Sequence, residues 1–220
     1  MSGASVTLAR ELWVYLRDST PERRRSRYGD MEYDWEHRVN TTSGTVGWRE
    51  RLLGMFYSPY QPTEPAIFQD MMSSLPIDFG EFTFVDIGSG KGRTLLMASE
   101  YAFRRIVGVE ILPELHRIAE ENIRAYTSPT QRCSQIESVC ADALEFALPE
   151  ERLLLYLFNP LPVAALQLVL GKLERSLRQN PRELVVLYNN AVLEDCLSEC
   201  RWLQRIASSD QFAVYRNLYL

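Results

Sequence analysis

The sequence predicts an α/β fold built on a mostly parallel sheet, and three features of the chain lead there. From residue 82 onward, short β-branched or aromatic runs alternate with segments of helical periodicity, the pattern of strands joined by crossover helices. Residues 153–158 are almost continuously apolar, as expected for a central strand covered on both faces. Residues 84–93 pass from an apolar run through an acid into glycines at alternate positions, Gly88, Gly90 and Gly92. Such a strand, tight turn and helix start lets the backbone approach a ligand closely.

The elements follow in order. Residues 82–87 read as the first strand and 93–101 as the helix after it; 105–110 read as the second strand. Residues 113–126 form a helix with proline near its start, with Leu115, Ile118, Ala119, Ile123 and Tyr126 on one face. A weaker third strand covers 136–140, and the fourth is the apolar run at 153–158. Leu166, Val169, Leu170, Leu173 and Leu177 recur at helical spacing, and that helix stops before Asn180-Pro181. A buried strand at 184–188, a short helix around 192–200 and two strands at 202–206 and 212–217 complete the pattern.

Upstream, the sequence predicts helices at 7–16 and 67–75, separated in part by a polar stretch at 19–47 that is rich in turn formers and has little periodicity. We therefore expect residues 1–78 to form an N-terminal extension or lid packed on a catalytic domain at 79–220.

Composition excludes several function classes. A chain of 220 residues can bury one full core. Its formal net charge of −5 argues against a general nucleic-acid or anionic-membrane binder, and Arg23, Arg24, Arg25 and Arg27 are a local exception. No apolar stretch is long enough to span a bilayer and the N-terminus carries no secretion-like segment, so a cytoplasmic location is expected. Cys133, Cys140, Cys196 and Cys200 contain no C-x-x-C pair, and His37 and His116 are the only imidazoles. Reduced thiols and no metal site are expected.

The spacing of the glycine turn discriminates among nucleotide loops. A dinucleotide fingerprint starting at Gly88 requires glycine or alanine where the chain has Arg93; a P-loop requires Ser or Thr directly after Lys91, where the chain has Gly92. Asp86-x-Gly88-x-Gly90-x-Gly92 instead resembles the first motif of class I S-adenosylmethionine-dependent methyltransferases. That resemblance covers residues 80–220. It implies a Rossmann-like seven-stranded sheet closed by a C-terminal antiparallel hairpin, with S-adenosyl-L-methionine as the cofactor.

The resemblance also implies a site. Asp86, after the first strand, accepts hydrogen bonds near the cofactor's ammonium; Gly88, Ser89, Gly90 and Gly92 surround its methionine and ribose; Glu110, after the second strand, accepts the ribose hydroxyls; Asp142 and Ala143, after the third, reach the adenine. Lys91 and Arg93 read as charges at a helix start with their heads in solvent. Asn159-Pro160-Leu161-Pro162 after the fourth strand is similar, incompletely, to the Asn/Asp-Pro-Pro-aromatic motif of amino-methylating enzymes, which makes Asn159 and Pro160 substrate-facing candidates; Tyr188, ending the fifth strand, is a third. The segment Tyr57-Ser58-Pro59-Tyr60-Gln61-Pro62-Thr63 resembles the region before the first motif in non-SET histone-lysine methyltransferases, where Tyr60 and Thr63 would be cofactor or lid residues.

Three function classes stay open on the sequence: a methyltransferase acting on a protein side-chain nitrogen or a small molecule in preference to nucleic acid, a non-catalytic subunit of the same fold, and a nicotinamide-dependent oxidoreductase. The sequence gives no oligomeric state.

Overall fold

Seven strands form one sheet in the order β3-β2-β1-β4-β5-β7-β6, seen in a computed structural model that describes residues 31–42, 62–159 and 161–218. The strands are β1 Phe82–Ile87, β2 Arg105–Glu110, β3 Ile136–Cys140, β4 Arg152–Leu157, β5 Leu184–Asn189, β6 Leu203–Ser208 and β7 Phe212–Asn217. The first five are parallel, while β7 runs antiparallel between β5 and β6. The order reverses between β1 and β4, and an open parallel sheet receives ligands beyond the strand ends at such a switch.

The helices are α1 Met31–His37, α2 Pro65–Ser73, α3 Arg93–Ala98, α4 Pro113–Ala125, α5 Val163–Gln179 and α6 Glu194–Ser198. Side chains alternate across each strand. Val85, Ile87, Leu155, Leu157, Val186 and Tyr188 therefore meet α5 and α6 in one core. Phe82, Phe84, Leu154, Tyr156, Val185 and Leu187 meet Tyr33, α2 and α3 in the other. Residues Val85, Leu155 and Val186 are fully buried in mutual register, which accounts for the unbroken apolar runs of the central strands.

The expected strands are present within two residues of their ends. The helices are shorter than their patterns suggested after Gly92, where α3 ends at Ala98, and around 192–200, where α6 keeps only Glu194–Ser198. The larger correction lies in the polar stretch at 19–47, which contains α1. The expected helix at 7–16, the arginine cluster at 23–27, Tyr60 and Pro160 lie outside the described residues.

Glycine is structurally required at Gly108 of β2. A Cβ there would stand 2.6 Å from Leu95 Cδ1 and 2.6 Å from Ser89 Oγ, and 2.8 Å from Ser89 Cβ. The glycine turn can lie on β2 only because that strand has no side chain at this point. Gly108→Ala should destabilise the fold by about 1–3 kcal/mol through overpacking. It should also loosen the 88–92 turn, so thermal denaturation is expected to show a lower midpoint and hydrogen exchange a faster turn; an unchanged midpoint would refute the close approach.

Candidate active site

The glycine turn is built on the tip of β2. The amides of Gly88 and Ser89 donate to the Val109 carbonyl at 2.8 and 3.1 Å. The Gly90 amide donates to Glu110 Oε2 at 2.8 Å, and the Leu112 amide to Glu110 Oε1 at 2.8 Å. Gly88, Gly90 and Gly92 adopt φ of 78°, 54° and 83°, left-handed values at which a Cβ is strained. At Gly92 an added Cβ would also meet Ala119 Cβ of α4 at 3.2 Å. The alternate glycines are thus a backbone requirement of the turn.

Two buried acids flank it. Asp86 and Glu110 keep 2% and 5% of their exposure. Burial pushes the Asp86 carboxyl up to about 8; its hydrogen bond with Thr94 pulls the other way, and the Glu110 charge adds to the rise. Glu110 is also raised, chiefly by burial, against the amides of Leu112, Gly90 and Ile111 and the nearby His116. A cationic ligand end and hydroxyl donors are the chemistry that offsets such desolvation. The ammonium and ribose hydroxyls of S-adenosylmethionine fit this acceptor set, and the bare backbone between Gly88 and Gly92 leaves room for them.

Ser89 Oγ lies over Gly108 and has no hydrogen-bond partner among the described residues. Asp142 Oδ1 accepts the Leu144 amide at 2.8 Å, and the Asp142 carbonyl accepts the amides of Glu145 and Phe146. Lys172 of α5 closes this turn, donating to the carbonyls of Ala143, Leu144 and Phe146 at 3.4, 2.7 and 2.5 Å. Asp142 and Ala143 therefore sit on a braced loop after β3.

Thr63 joins the site from below. Its hydroxyl is 2.7 Å from the Tyr156 hydroxyl, which also accepts from Asn189 Nδ2 at 2.9 Å. Tyr156 pairs in register with Asp86 across β1 and β4, and burial together with the Asp86 charge raises its phenol. Sequence reasoning missed Tyr156 and Asn189, although a tyrosine interrupting an aliphatic central strand was an available signal.

Asn159 and Tyr188 form a second cluster. The Tyr188 hydroxyl donates to Asn159 Oδ1 at 2.8 Å, and Asn159 Nδ2 donates to the Asn190 carbonyl at 2.6 Å. Asn159 and Asn190 adopt φ of 46° and 48°, a region asparagine tolerates better than other non-glycine residues. Tyr188 packs toward the α5–α6 core, on the opposite sheet face from Tyr156. The structure thus brings Asp86, Glu110 and the glycine turn together, joins Thr63 to them through Tyr156, and places Asn159 and Tyr188 beside them on the strand-end rim.

Lys91 and Arg93 depart most from expectation. Their heads are buried, with residue exposures of 5% and 2%. Lys91 Nζ donates to the Thr42 carbonyl at 2.8 Å, and Arg93 Nε donates to Thr41 Oγ1 at 2.6 Å. Arg93 Nη2 lies 3.6 Å from Asp34 Oδ1, and the guanidinium stands over the Tyr33 ring. The solvent these heads were expected to meet is displaced by residues 33–42.

The comparisons agree with this architecture. Residues 85–180 match the family model described as a methyltransferase domain. No curated protein sequence matches the chain. Among solved structures, TrmN from Thermus thermophilus aligns with TM-score 0.51 at 15% identity, over 70% of this chain and 49% of that one. A dimethyladenosine transferase from Plasmodium falciparum aligns with TM-score 0.51 at 11% identity, over 73% of this chain and 64% of that one. An RNA methyltransferase from Salinibacter ruber, in complex with S-adenosyl-L-homocysteine, aligns with TM-score 0.48 at 21% identity, over 71% and 92%. Residues 85–180, under half of the chain, thus resemble a methyltransferase domain, and the sheet has the fold of these solved structures.

The two roles of Asp86 make opposite predictions for Asp86→Asn. An acid raised from 3.8 to about 8 binds its proton more tightly in the folded state. Its stabilising contribution is complete below pH 3.8 and is lost as pH climbs to about 8. The wild type should therefore lose stability across that window, and the asparagine variant should lack this component and melt higher at pH 8 without ligand. The same variant should bind S-adenosyl-L-homocysteine more weakly. Parallel melting curves across pH, or equal affinity, would refute the assignment.

Proposed function

We propose that the protein is an S-adenosyl-L-methionine-dependent methyltransferase whose acceptor is a protein side-chain nitrogen or a small molecule in preference to nucleic acid. The observation supporting this reading is the chemistry of the rim. Residues 158–163 and 189–193, which follow β4 and β5, are Phe-Asn-Pro-Leu-Pro-Val and Asn-Asn-Ala-Val-Leu, without a basic side chain. Val192 and Val163 are exposed there. A phosphate backbone is held by a positive field, and this rim in a chain of net charge −5 offers none. The RNA and dimethyladenosine in the structural neighbours' names belong to those proteins, whose likeness bears on the fold alone.

Bound S-adenosylmethionine supplies a methyl group already attached to a sulfonium leaving group. The protein's task is to orient the acceptor and exclude water. In this reading Asp86 takes the ammonium, Glu110 the ribose hydroxyls, and Asp142 with Ala143 the adenine edge. Asn159 Oδ1, already accepting from Tyr188, retains a second lone pair for an acceptor N–H. The Asn190 carbonyl holds the Asn159 amide in place, so the oxygen points in a fixed direction. Pro160, beside it, is kept as a substrate-facing candidate, and Tyr60 as a lid candidate, on sequence grounds alone.

The test is methyl transfer from radiolabelled cofactor to cell extract, fractionated into protein, RNA and small molecules. Label in protein or small molecules, with none in RNA, is expected; label confined to RNA would overturn the proposal. With an acceptor in hand, Asn159→Ala should lower kcat/KM for it by about 10- to 100-fold through lost orientation, with unchanged affinity for S-adenosyl-L-homocysteine.

A further inference from the structure

Residues 31–42 are fixed to the glycine turn through side chains that the methyl-transfer reading does not use. Asp34 is their hub. Its Oδ1 and Oδ2 accept the Thr41 amide at 3.0 Å each, and Oδ2 accepts the Thr42 amide at 2.9 Å. The hydroxyl of Thr41 donates to Oδ1 at 2.5 Å and that of Thr42 donates to Oδ2. The carboxylate folds the chain back after α1, so that Thr41 and Thr42 face the start of α3. There Arg93 pairs with Asp34 and donates to Thr41, while Lys91 donates to the Thr42 carbonyl.

A second tie runs through α4. Asn122 Nδ2 donates to the carbonyls of Lys91 and Asn40 at 2.9 and 3.0 Å, and Asn122 Oδ1 accepts the Asn40 amide at 2.7 Å. His37 packs on Tyr126 and Tyr33. Lys91 and Arg93 flank Gly92, the last residue of the turn, so both ties end on the backbone that would hold the cofactor. Asp34 and Arg93 touch neither Asp86 nor Glu110 in any hydrogen bond or ion pair among the described residues that the structure shows. Their action on the site is through the turn.

We infer that Asp34 and Arg93 are positioning residues of the methyltransferase reaction: by locking residues 31–42 onto the end of the 88–92 turn, they hold that turn in its cofactor-accepting shape. The inference rests on the turn being the cofactor cradle. Its consequence is that the catalytic unit begins upstream of β1, at α1, and that the 82–218 sheet alone should bind cofactor weakly.

The experiment uses the full chain with three variants. Asp34→Asn removes the charge while keeping an acceptor, and Thr41→Val removes the Arg93 Nε acceptor while leaving the ion pair. Glu81→Gln, at the far end of β1 where Glu81 pairs with Arg152, controls for stability alone. Each is measured by melting temperature, by hydrogen exchange of residues 88–93 without ligand, and by affinity for S-adenosyl-L-homocysteine. In Asp34→Asn, exchange at 88–93 should accelerate and the dissociation constant rise about tenfold or more, as expected when a binding element is misplaced. Thr41→Val should do the same to a smaller degree, whereas Glu81→Gln should lower only the melting temperature. Unaltered exchange at 88–93 in folded Thr41→Val and Asp34→Asn would overturn the inference whether or not the cofactor binds. Accelerated exchange with unchanged affinity would overturn it too, reducing the pair to a structural role. Failure of wild type to bind S-adenosyl-L-homocysteine would instead count against the cofactor cradle on which the positioning role depends.

Discussion

The hydrogen bonds between the glycine turn and the tip of β2 are the constraint on which the site depends. The Val109 carbonyl takes the Gly88 and Ser89 amides, and the Glu110 carboxylate bridges Gly90 to Leu112. The turn would otherwise carry the large conformational entropy of three glycines. Anchored this way, its position is determined by where β2 ends, and β2 in turn is fixed in register between β1 and β3. The sheet therefore sets the geometry of the turn, and Gly108 permits the contact. A carboxylate such as Glu110 that accepts one amide on each oxygen still has lone pairs free for further donors.

Burial then determines the electrostatics. Asp86 lies on the face with Phe84 and Tyr156, among aromatic rings and the α2–α3 core, where a charge is poorly solvated. The protein offers it Thr94 and leaves it close to a second acid. Such an arrangement is costly for an empty protein and favourable once a cation arrives, the trade between stability and function expected at sites built for a charged ligand. Thr63, Tyr156 and Asn189 form a closed relay of hydroxyl and amide groups under this acid. Their satisfied hydrogen bonds keep the polar floor of the site from adding to the cost.

Much of this was legible in the sequence, and the part that was not has a physical cause. Strands β1, β2, β4 and β5 are long apolar runs because both of their faces are buried, so pattern alone located them. Asp86, Glu110 and Asp142 follow successive strands, as their order in the sequence suggested. Thr63 was singled out only by the resemblance of its segment to the region before the first motif in other methyltransferases, and its partner Tyr156 lies far along the chain. Helix α1 was hidden because, among its described side chains, Tyr33 is the only buried apolar one; it is held by hydrogen bonds from Thr41 and Thr42 to Asp34 and by the Arg93 ion pair, which leave no periodicity. Lys91 and Arg93 misled for the same reason. A cation at a helix start ordinarily reaches solvent, and nothing local to residues 88–93 announces an acid at 34.

Buried ion pairs contribute little net stability, and removing one partner typically costs about 3–5 kcal/mol because a charge is left uncompensated. Asp34 and Arg93 are therefore poor stabilisers but effective at fixing one arrangement over others. The alternate-glycine spacing explains why charged residues serve here. With Gly88, Gly90 and Gly92 keeping the turn's backbone bare, only positions 89, 91 and 93 can carry anchors. Ser89 packs over Gly108, Lys91 reaches the Thr42 carbonyl, and Arg93 reaches Thr41 and Asp34. Short apolar side chains at 91 and 93 could not span to a separate segment, whereas long stems ending in directional donors can. The alternate-glycine motif of the turn thus also encodes, in its non-glycine positions, the attachment points that hold the turn to the rest of the protein.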